Sequence, residues 1–313
     1  MNAIVRASLA TLTWTLLVRS LKSQLFSASL RCLQIVRRVG QTILGPGRSP
    51  EWYRRVVRNH FSRLVYEPGA NKVTVSQGPL IGLSKYGPFC ERDVEFAAGV
   101  YEPALTAAMA RCVKPGEIAM DIGANAGYHT LMLSKLAGEN GRVFAFEPVP
   151  VTAHWLRETI SQNDISNVTV VEAAIGANNE RRQILYGEAL DGFATLSGVG
   201  HGYYDGQGCL STQVDVITAD SWLEEHQVER LSFVKIDVEG AELAVLRGMQ
   251  TTLHRLRPSV ICEFWGAENI KEGHQFFGDH SYKLTTLEEW RGQVRGREVI
   301  IANVLALPED LRR

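Results

Sequence analysis

The sequence predicts an α/β fold built on a doubly wound, largely parallel sheet, and three observations predict it. Short apolar runs of strand length alternate with helix-length runs from residue 117 to 313. The alternation starts at a distinct turn signal, Lys114-Pro115-Gly116. The composition is that of a folded chain: 313 residues, 45% hydrophobic and 21% charged, enough for a full core plus a smaller appendage.

Taken in order, residues 1–50 form a basic extension with seven Lys or Arg and no acid. Within residues 1–45, Arg6, Arg19, Lys22, Arg31, Arg37 and Arg38 are interleaved with Leu, Ile, Val and Trp14, as in amphipathic helices. Three readings stay open: an anchor on an anionic membrane surface, a cleavable targeting segment, or helices packed on the main domain or a partner. Gly45-Pro46-Gly47-Arg48-Ser49-Pro50 reads as a linker, placing a boundary near residue 50. Residues 51–116 read as a small cap, with a helical signal over Trp52–Val65, strand-like pieces at Lys72–Ser76 and Leu80–Leu83, and a helix over Ala104–Val113.

Residues 117–313 then supply seven strand-like runs: Ile118–Ile122, Val143–Phe146, Val168–Ala173, Phe233–Ile236, Val260–Glu263, Tyr282–Thr286 and Val299–Leu307. Helical runs over Gly127–Leu136, Val151–Asn163 and Ala241–Leu256 separate several of them. In such sheets ligands sit at the carboxyl ends of the strands, so the strand-end residues carry most of the functional information.

Charge narrows the function classes. The net charge is −1, but outside the extension 26 bases face 34 acids. A mildly acidic body argues against a nucleic-acid polymer, which requires a basic stripe, and favours a small-molecule or glycan acceptor. The five cysteines, Cys32, Cys90, Cys112, Cys209 and Cys262, have no C-x-x-C spacing, so no metal or redox site is expected and they fit a reducing, cytoplasmic compartment. The longest uncharged early run, Ala7–Val18, is too short for a membrane span.

Asp121 ends the first strand, and Gly123, Asn125 and Gly127 follow in a loop that opens a helix. Missing side chains let backbone approach a ligand, and the helix start offers free N–H groups. A tight structural connection would look the same. The second strand adds information, because Phe146 is followed by Glu147-Pro148, an acid twenty residues beyond Gly127 that can accept the ribose hydroxyls of an adenosine ligand. A nicotinamide dinucleotide would use the same acid, but its pyrophosphate requires the G-x-G-x-x-G spacing, absent here, and Asp121 would repel it. S-adenosylmethionine, with a sulfonium and an ammonium and no phosphate, fits better.

A second acidic cluster lies in Phe233-Val234-Lys235-Ile236-Asp237-Val238-Glu239-Gly240-Ala241-Glu242, on a strand expected beside the first. Asp237 would face the cofactor and orient the methyl donor, accept a hydroxyl proton or help ligate a divalent cation. Glu242 fits the positive start of the following helix. Glu263 is a third strand-end acid that could face substrate. His129 and His201 are candidate bases, and Gly198–Gly208, with His201, Tyr203 and Tyr204, has the composition of a mobile lid.

Asp121 to Gly127, Phe146-Glu147-Pro148 and Ile236 to Glu242, in that order and spacing, resemble the FkbM-type methyltransferase family. The resemblance runs from about Gly99 to Pro308 and includes Tyr101-Glu102-Pro103, Lys114-Pro115-Gly116, Asn167-Val168-Thr169-Val170 and Asn303 to Pro308. It implies a class I, Rossmann-like methyltransferase fold with a reversed final hairpin. It also implies methyl transfer to a hydroxyl of a sugar, glycolipid or secondary metabolite. By matching positions, Asp121, Gly123, Asn125 and Gly127 would line the methionine and ribose part, Glu147 the ribose hydroxyls and Glu172 or Ala173 the adenine edge. Asp237 would stand beside the transferred methyl. Ser221 departs from the family pattern, in which an acid often follows Asp220, and this puts a functional role for that region in question. Two rivals are a nicotinamide-dependent oxidoreductase and a membrane-associated cofactor-binding protein without turnover.

Overall fold

A computed structural model describes residues 66, 67, 69, 71–90, 92–187, 194–196, 209–294 and 297–309. The basic extension, the boundary near residue 50, the helical signal at Trp52–Val65 and the segment containing His201, Tyr203 and Tyr204 lie outside the described residues.

Strands β1 (Tyr66–Glu67), β2 (Lys72–Thr74) and β3 (Ser84–Tyr86) form a small antiparallel sheet. Leu80–Leu83, expected as a strand, is a turn in which the Ile81 and Leu83 amides donate to the Gly78 and Leu80 carbonyls. Helices α1 (Asp93–Ala97) and α2 (Pro103–Cys112) follow, the latter started by Pro103 at its first turn, where the missing N–H costs nothing.

The main sheet has seven strands: β4 (Ile118–Ile122), β5 (Arg142–Phe146), β6 (Val168–Val171), β11 (Phe233–Ile236), β12 (Ser259–Trp265), β13 (Tyr282–Val294) and β14 (Arg297–Pro308). Their spatial order is β13-β14-β12-β11-β4-β5-β6. Only β14 runs against the rest, antiparallel to both β12 and β13. This is the reversed final hairpin of a class I methyltransferase fold. The central strands are buried on both faces, so β4, β5 and β11 read as near-continuous apolar runs.

Helices cover both faces. On one, α2, α3 (Tyr128–Ala137) and α4 (Pro150–Gln162) bury Met109, Leu131 and Leu156 in a core shared with Val73, Leu80 and Phe96 of the preceding segment. On the other, α5 (Ala219–Glu225), α6 (Glu242–Arg247), α7 (Gln250–Arg255) and α8 (Ala267–Asp279) bury Trp222, Leu246, Leu253 and Phe277.

Two differences from the sequence expectation have physical causes. The single helix expected over Ala241–Leu256 is broken into α6 and α7 around Gly248, where a Cβ would stand 1.9 Å from the Gly176 carbonyl oxygen. A close backbone approach, not a helix contact, decides that position. Asp220 then accepts hydrogen bonds from the Thr251 and Thr252 amides and the Thr252 hydroxyl at 2.6–2.9 Å, and so ties α5 to the start of α7.

The stretch between β6 and α5 holds a second sheet that the alternation did not announce. Strands β7 (Ala174–Ile175), β8 (Glu180–Gly187), β9 (Ala194–Leu196) and β10 (Cys209–Ile217) pair in the order β7-β10-β8-β9. Its inner residues Ile184, Val214 and Val216 pack on Val149, Ala174 and Ala241, at the carboxyl ends of the main strands. Cys90, Cys112, Cys209 and Cys262 are free thiols. Among the described residues no helix is long and apolar enough to cross a membrane.

Candidate active site

A cleft open to solvent at its mouth runs across the carboxyl ends of β11, β4 and β5. Gly123, Asn125, Gly127, Glu147, Ala173 and Asp237 all border it, from four separate chain segments.

The loop after β4 is shaped by its neighbours. A Cβ on Gly123 would lie 1.8 Å from the Asp237 carbonyl oxygen, and its φ of +78° is one that L side chains rarely adopt. Only glycine lets β4 and β11 close up at their ends. Asn125 takes a left-handed φ of 50°, and its amide donates 2.9 Å to Glu147 Oε2. Gly127 precedes α3 and completes the loop.

Glu147 is held by backbone alone. Its Oε1 accepts the Val149 amide at 2.9 Å, opposite the Asn125 bond, and the residue is 5% exposed. Burial pushes its pKa from 4.5 up to about 7, against the pull of those two N–H groups and of Lys235. A carboxylate offers about four lone-pair sites, so acceptor capacity remains for ligand hydroxyls.

Asp121 does not border the cleft. It is fully buried, accepts the Thr130 hydroxyl at 2.6 Å and faces Lys235 Nζ at 3.4 Å. The expectation that Asp121 meets a ligand cation is therefore corrected: its charge is matched within the protein by Lys235.

Lys235 is the residue that sequence reasoning missed. It is buried, donates to the Gly123 carbonyl at 3.0 Å and pairs with Asp237 Oδ2 at 3.3 Å as well as with Asp121. Burial alone would lower its pKa, but Asp237, then Asp121 and Glu102, outweigh burial and raise it, so the ammonium is kept. One buried lysine thus ties the β4 loop to the β11 carboxylate. The available signal was a lone lysine inside the apolar run Phe233-Val234-Lys235-Ile236.

Asp237 borders the cleft with its side chain 27% exposed. Glu239, in a left-handed φ of 55°, borders it as well. Burial, then Asp237 and Glu263, push the Glu239 carboxyl well above the ordinary range. Non-glycine residues in left-handed backbone gather where structure constrains function.

Three other acids turn elsewhere. Glu172 forms an exposed ion pair with Arg157 at 2.8 Å and does not border the cleft, so of the two adenine-edge candidates only Ala173 reaches it. Glu263 accepts the Trp265 indole N–H at 2.9 Å and the Asn303 amide at 3.2 Å, and stands close enough to Asp237 and Glu239 for the three charges to act on one another. Glu242 accepts the Gly240 amide at 2.7 Å and caps its own turn, as its helix-start position suggested. Burial raises the Glu242 pKa to about 8.

The other wall comes from the N-terminal segment. His129 borders the cleft, and its Nε2 lies 3.1 Å from Glu102 Oε2. Burial would raise Glu102, but His129, then Lys235 and Arg92, hold it below the ordinary carboxyl value. Arg92 and Tyr101 border the cleft and are hydrogen-bonded to each other. Lys85 is locked to Asp93 by two contacts of 2.7 and 2.8 Å.

Every lysine at the cleft is thus already matched by a carboxylate, and the surface offers little to a pyrophosphate.

Comparison with known proteins shows the family. The Methyltransferase FkbM domain model matches residues 121–285. The hexuronic acid methyltransferase AglP of Haloferax volcanii is 31% identical over 186 residues, 58% of this chain and 70% of that one. The 2-O-methyltransferase NoeI of Sinorhizobium fredii is 27% identical over 201 residues, 58% of this chain and 77% of that one. A solved FkbM methyltransferase from Methylobacillus flagellatus is 15% identical, with a TM-score of 0.39 over 68% of this chain and 54% of that one. The chain belongs to the FkbM family of S-adenosylmethionine-dependent methyltransferases.

Proposed function

We propose that this chain methylates a hydroxyl of a sugar, glycolipid or secondary metabolite, with S-adenosylmethionine as donor. The observation that carries the reading is the pair of strand-end carboxylates, Glu147 and Asp237, bordering one cleft in which each lysine is already neutralised. Gly123, Asn125 and Gly127 present backbone to the methionine and ribose part, Glu147 accepts the ribose hydroxyls, and Ala173 lies at the adenine edge. When bound, the donor supplies an electrophilic methyl on a sulfonium centre.

The chain's own residues do the rest. Lys235, anchored by Asp121, fixes the Asp237 carboxylate at the cleft edge. Asp237 accepts the hydrogen bond of the acceptor hydroxyl and takes its proton as the oxygen attacks. Alignment of two reactants in one cleft supplies much of the acceleration. The names of two relatives, a hexuronic acid methyltransferase and a 2-O-methyltransferase, support a sugar acceptor.

The test is methyl-labelled donor offered to hexuronic acid glycosides, neutral hexose glycosides and extracted glycolipids. Label should appear in an alkali-stable methyl ether, and Asp237→Asn should lower turnover about a hundredfold or more while donor binding persists. Label found only in a base-labile ester or on nitrogen would contradict hydroxyl transfer.

A further inference from the structure

The N-terminal wall of the cleft carries aromatic rings for which the chemistry above has no task. Phe96 of α1, Tyr128 at the start of α3 and Tyr101, between α1 and α2, all border the cleft. They form one edge-to-face chain, with 5.3 Å between the ring centres of Phe96 and Tyr128 and 4.9 Å between those of Tyr128 and Tyr101. Phe96 and Tyr128 are 3% and 7% exposed, whereas Tyr101 is only partly buried. Tyr101 is therefore the ring of the three that a ligand meets.

Constrained backbone holds that ring in place on both sides. Glu102, next to Tyr101, has φ 41° and ψ 64°, left-handed backbone on a non-glycine residue and at a position that Pro103 biases towards extended backbone. Its side chain does not cap α2 and goes to His129 instead. On the other flank, a Cβ on Gly99 would lie 2.0 Å from the Gln77 carbonyl oxygen. The Ser76 amide and hydroxyl both donate to the Ala97 carbonyl, at 2.7 and 2.8 Å. The Tyr101 hydroxyl is engaged with Arg92, so the ring rather than its polar tip is offered to the cleft. Burial first, then the charges of Glu102 and Asp237, raise the pKa of that hydroxyl, so the ring lies within reach of the Asp237 carboxylate.

A pyranose has apolar C–H faces and a rim of hydroxyls. A fixed aromatic ring beside a carboxylate matches both, because the face packs on the ring while a rim hydroxyl meets the acid. Resting on the hydroxyl-transfer reading above, we propose that Tyr101 is the acceptor platform, on which a sugar ring packs by its C–H face with one hydroxyl on Asp237. Phe96 and Tyr128 back the platform, and the donor keeps its place along Glu147. Contact over about 60 Å² of apolar surface corresponds to about tenfold in affinity.

The experiment measures methyl transfer by the full chain to the best-labelled glycoside of the set above and, separately, calorimetric affinity for S-adenosylhomocysteine. Tyr101→Leu keeps apolar bulk against Tyr128 but has no flat face. It should raise the acceptor KM about tenfold or more, while S-adenosylhomocysteine binds as it does to the wild type. Tyr101→Phe keeps the face and loses the Arg92 bond, and should hold the acceptor KM within about threefold. In the wild type, an open-chain hexitol, with hydroxyls but no ring face, should be labelled at least about tenfold less efficiently than the glycoside. An unchanged acceptor KM in Tyr101→Leu, or an equal rise in Tyr101→Phe, would overturn the platform. So would a loss confined to S-adenosylhomocysteine binding, which would set the ring against the donor, and so would equal labelling of hexitol and glycoside. Wild-type protein that labels no glycoside would instead overturn the sugar reading on which the platform rests.

Discussion

Replacing Glu147 by Gln keeps the shape of the side chain and removes a titration. The folded chain holds the Glu147 proton up to a pKa of about 7, while the unfolded chain releases it near 4.5. Below 4.5 both states are protonated and the group costs nothing. Between 4.5 and 7 the unfolded chain ionises while the folded chain does not, so stability falls as pH rises, and above 7 the loss is complete. At about 1.4 kcal/mol for each pH unit, the interval amounts to about 3 kcal/mol.

The amide variant carries a second cost that does not depend on pH. Glu147 accepts both the Asn125 and Val149 amides, and a Gln must point its NH₂ at one of them, a loss of about 1–3 kcal/mol. The prediction concerns the difference between the two proteins at two pH values. At pH 5 Glu147→Gln should be the less stable protein, and by pH 8 the difference should have moved in its favour by about 2.5 kcal/mol. Buried Glu239, Glu242 and Glu263 titrate in both proteins and cancel. Urea unfolding at the two pH values, without ligand, measures it. A stability difference that stays constant with pH would refute the account of how Glu147 is held.

Three further outcomes follow from the same geometry. Lys235→Met leaves the Asp121 carboxylate buried without its counter-ion and should cost about 3–5 kcal/mol, with part recovered in Lys235→Met/Asp121→Asn; equal stability of single variant and wild type in urea unfolding would contradict it. Gly123→Ala places a methyl against the Asp237 carbonyl oxygen, so it should both destabilise the fold and weaken donor binding beyond detection by calorimetry. Glu172→Ala removes only an exposed ion pair, so the unfolding free energy from urea titration should change by less than about 1 kcal/mol and donor affinity should be unchanged; a clear loss of affinity would return Glu172 to the site.

What could be read from the sequence is what local patterning controls. Ile118–Ile122 and Phe233–Ile236 are short apolar runs that end at the cleft, because central parallel strands are buried on both faces and end at the ligand edge. Glu147 and Asp237 stood out for that reason. The inserted sheet could have been read from the alternation Gln213-Val214-Asp215-Val216, yet it interrupts a parallel pattern, and β10 pairs antiparallel with a strand distant along the chain. Glu102 and His129 meet only in space, since contacts across the fold have no period along the chain. The orientation of Asp121 was misread because a strand-end acid by itself does not reveal a buried lysine on the neighbouring strand. Lys235 carried that information, and a charged residue inside an otherwise buried run calls for a partner.

The most direct test of the account is titration of the full chain with S-adenosylmethionine, wild type against Glu147→Ala. The account predicts one equivalent bound by the wild type and an affinity at least about tenfold weaker in the variant, with the reduced nicotinamide dinucleotide bound by neither. Equal binding of S-adenosylmethionine by both proteins would show that the donor lies elsewhere than across Glu147, and would contradict the account.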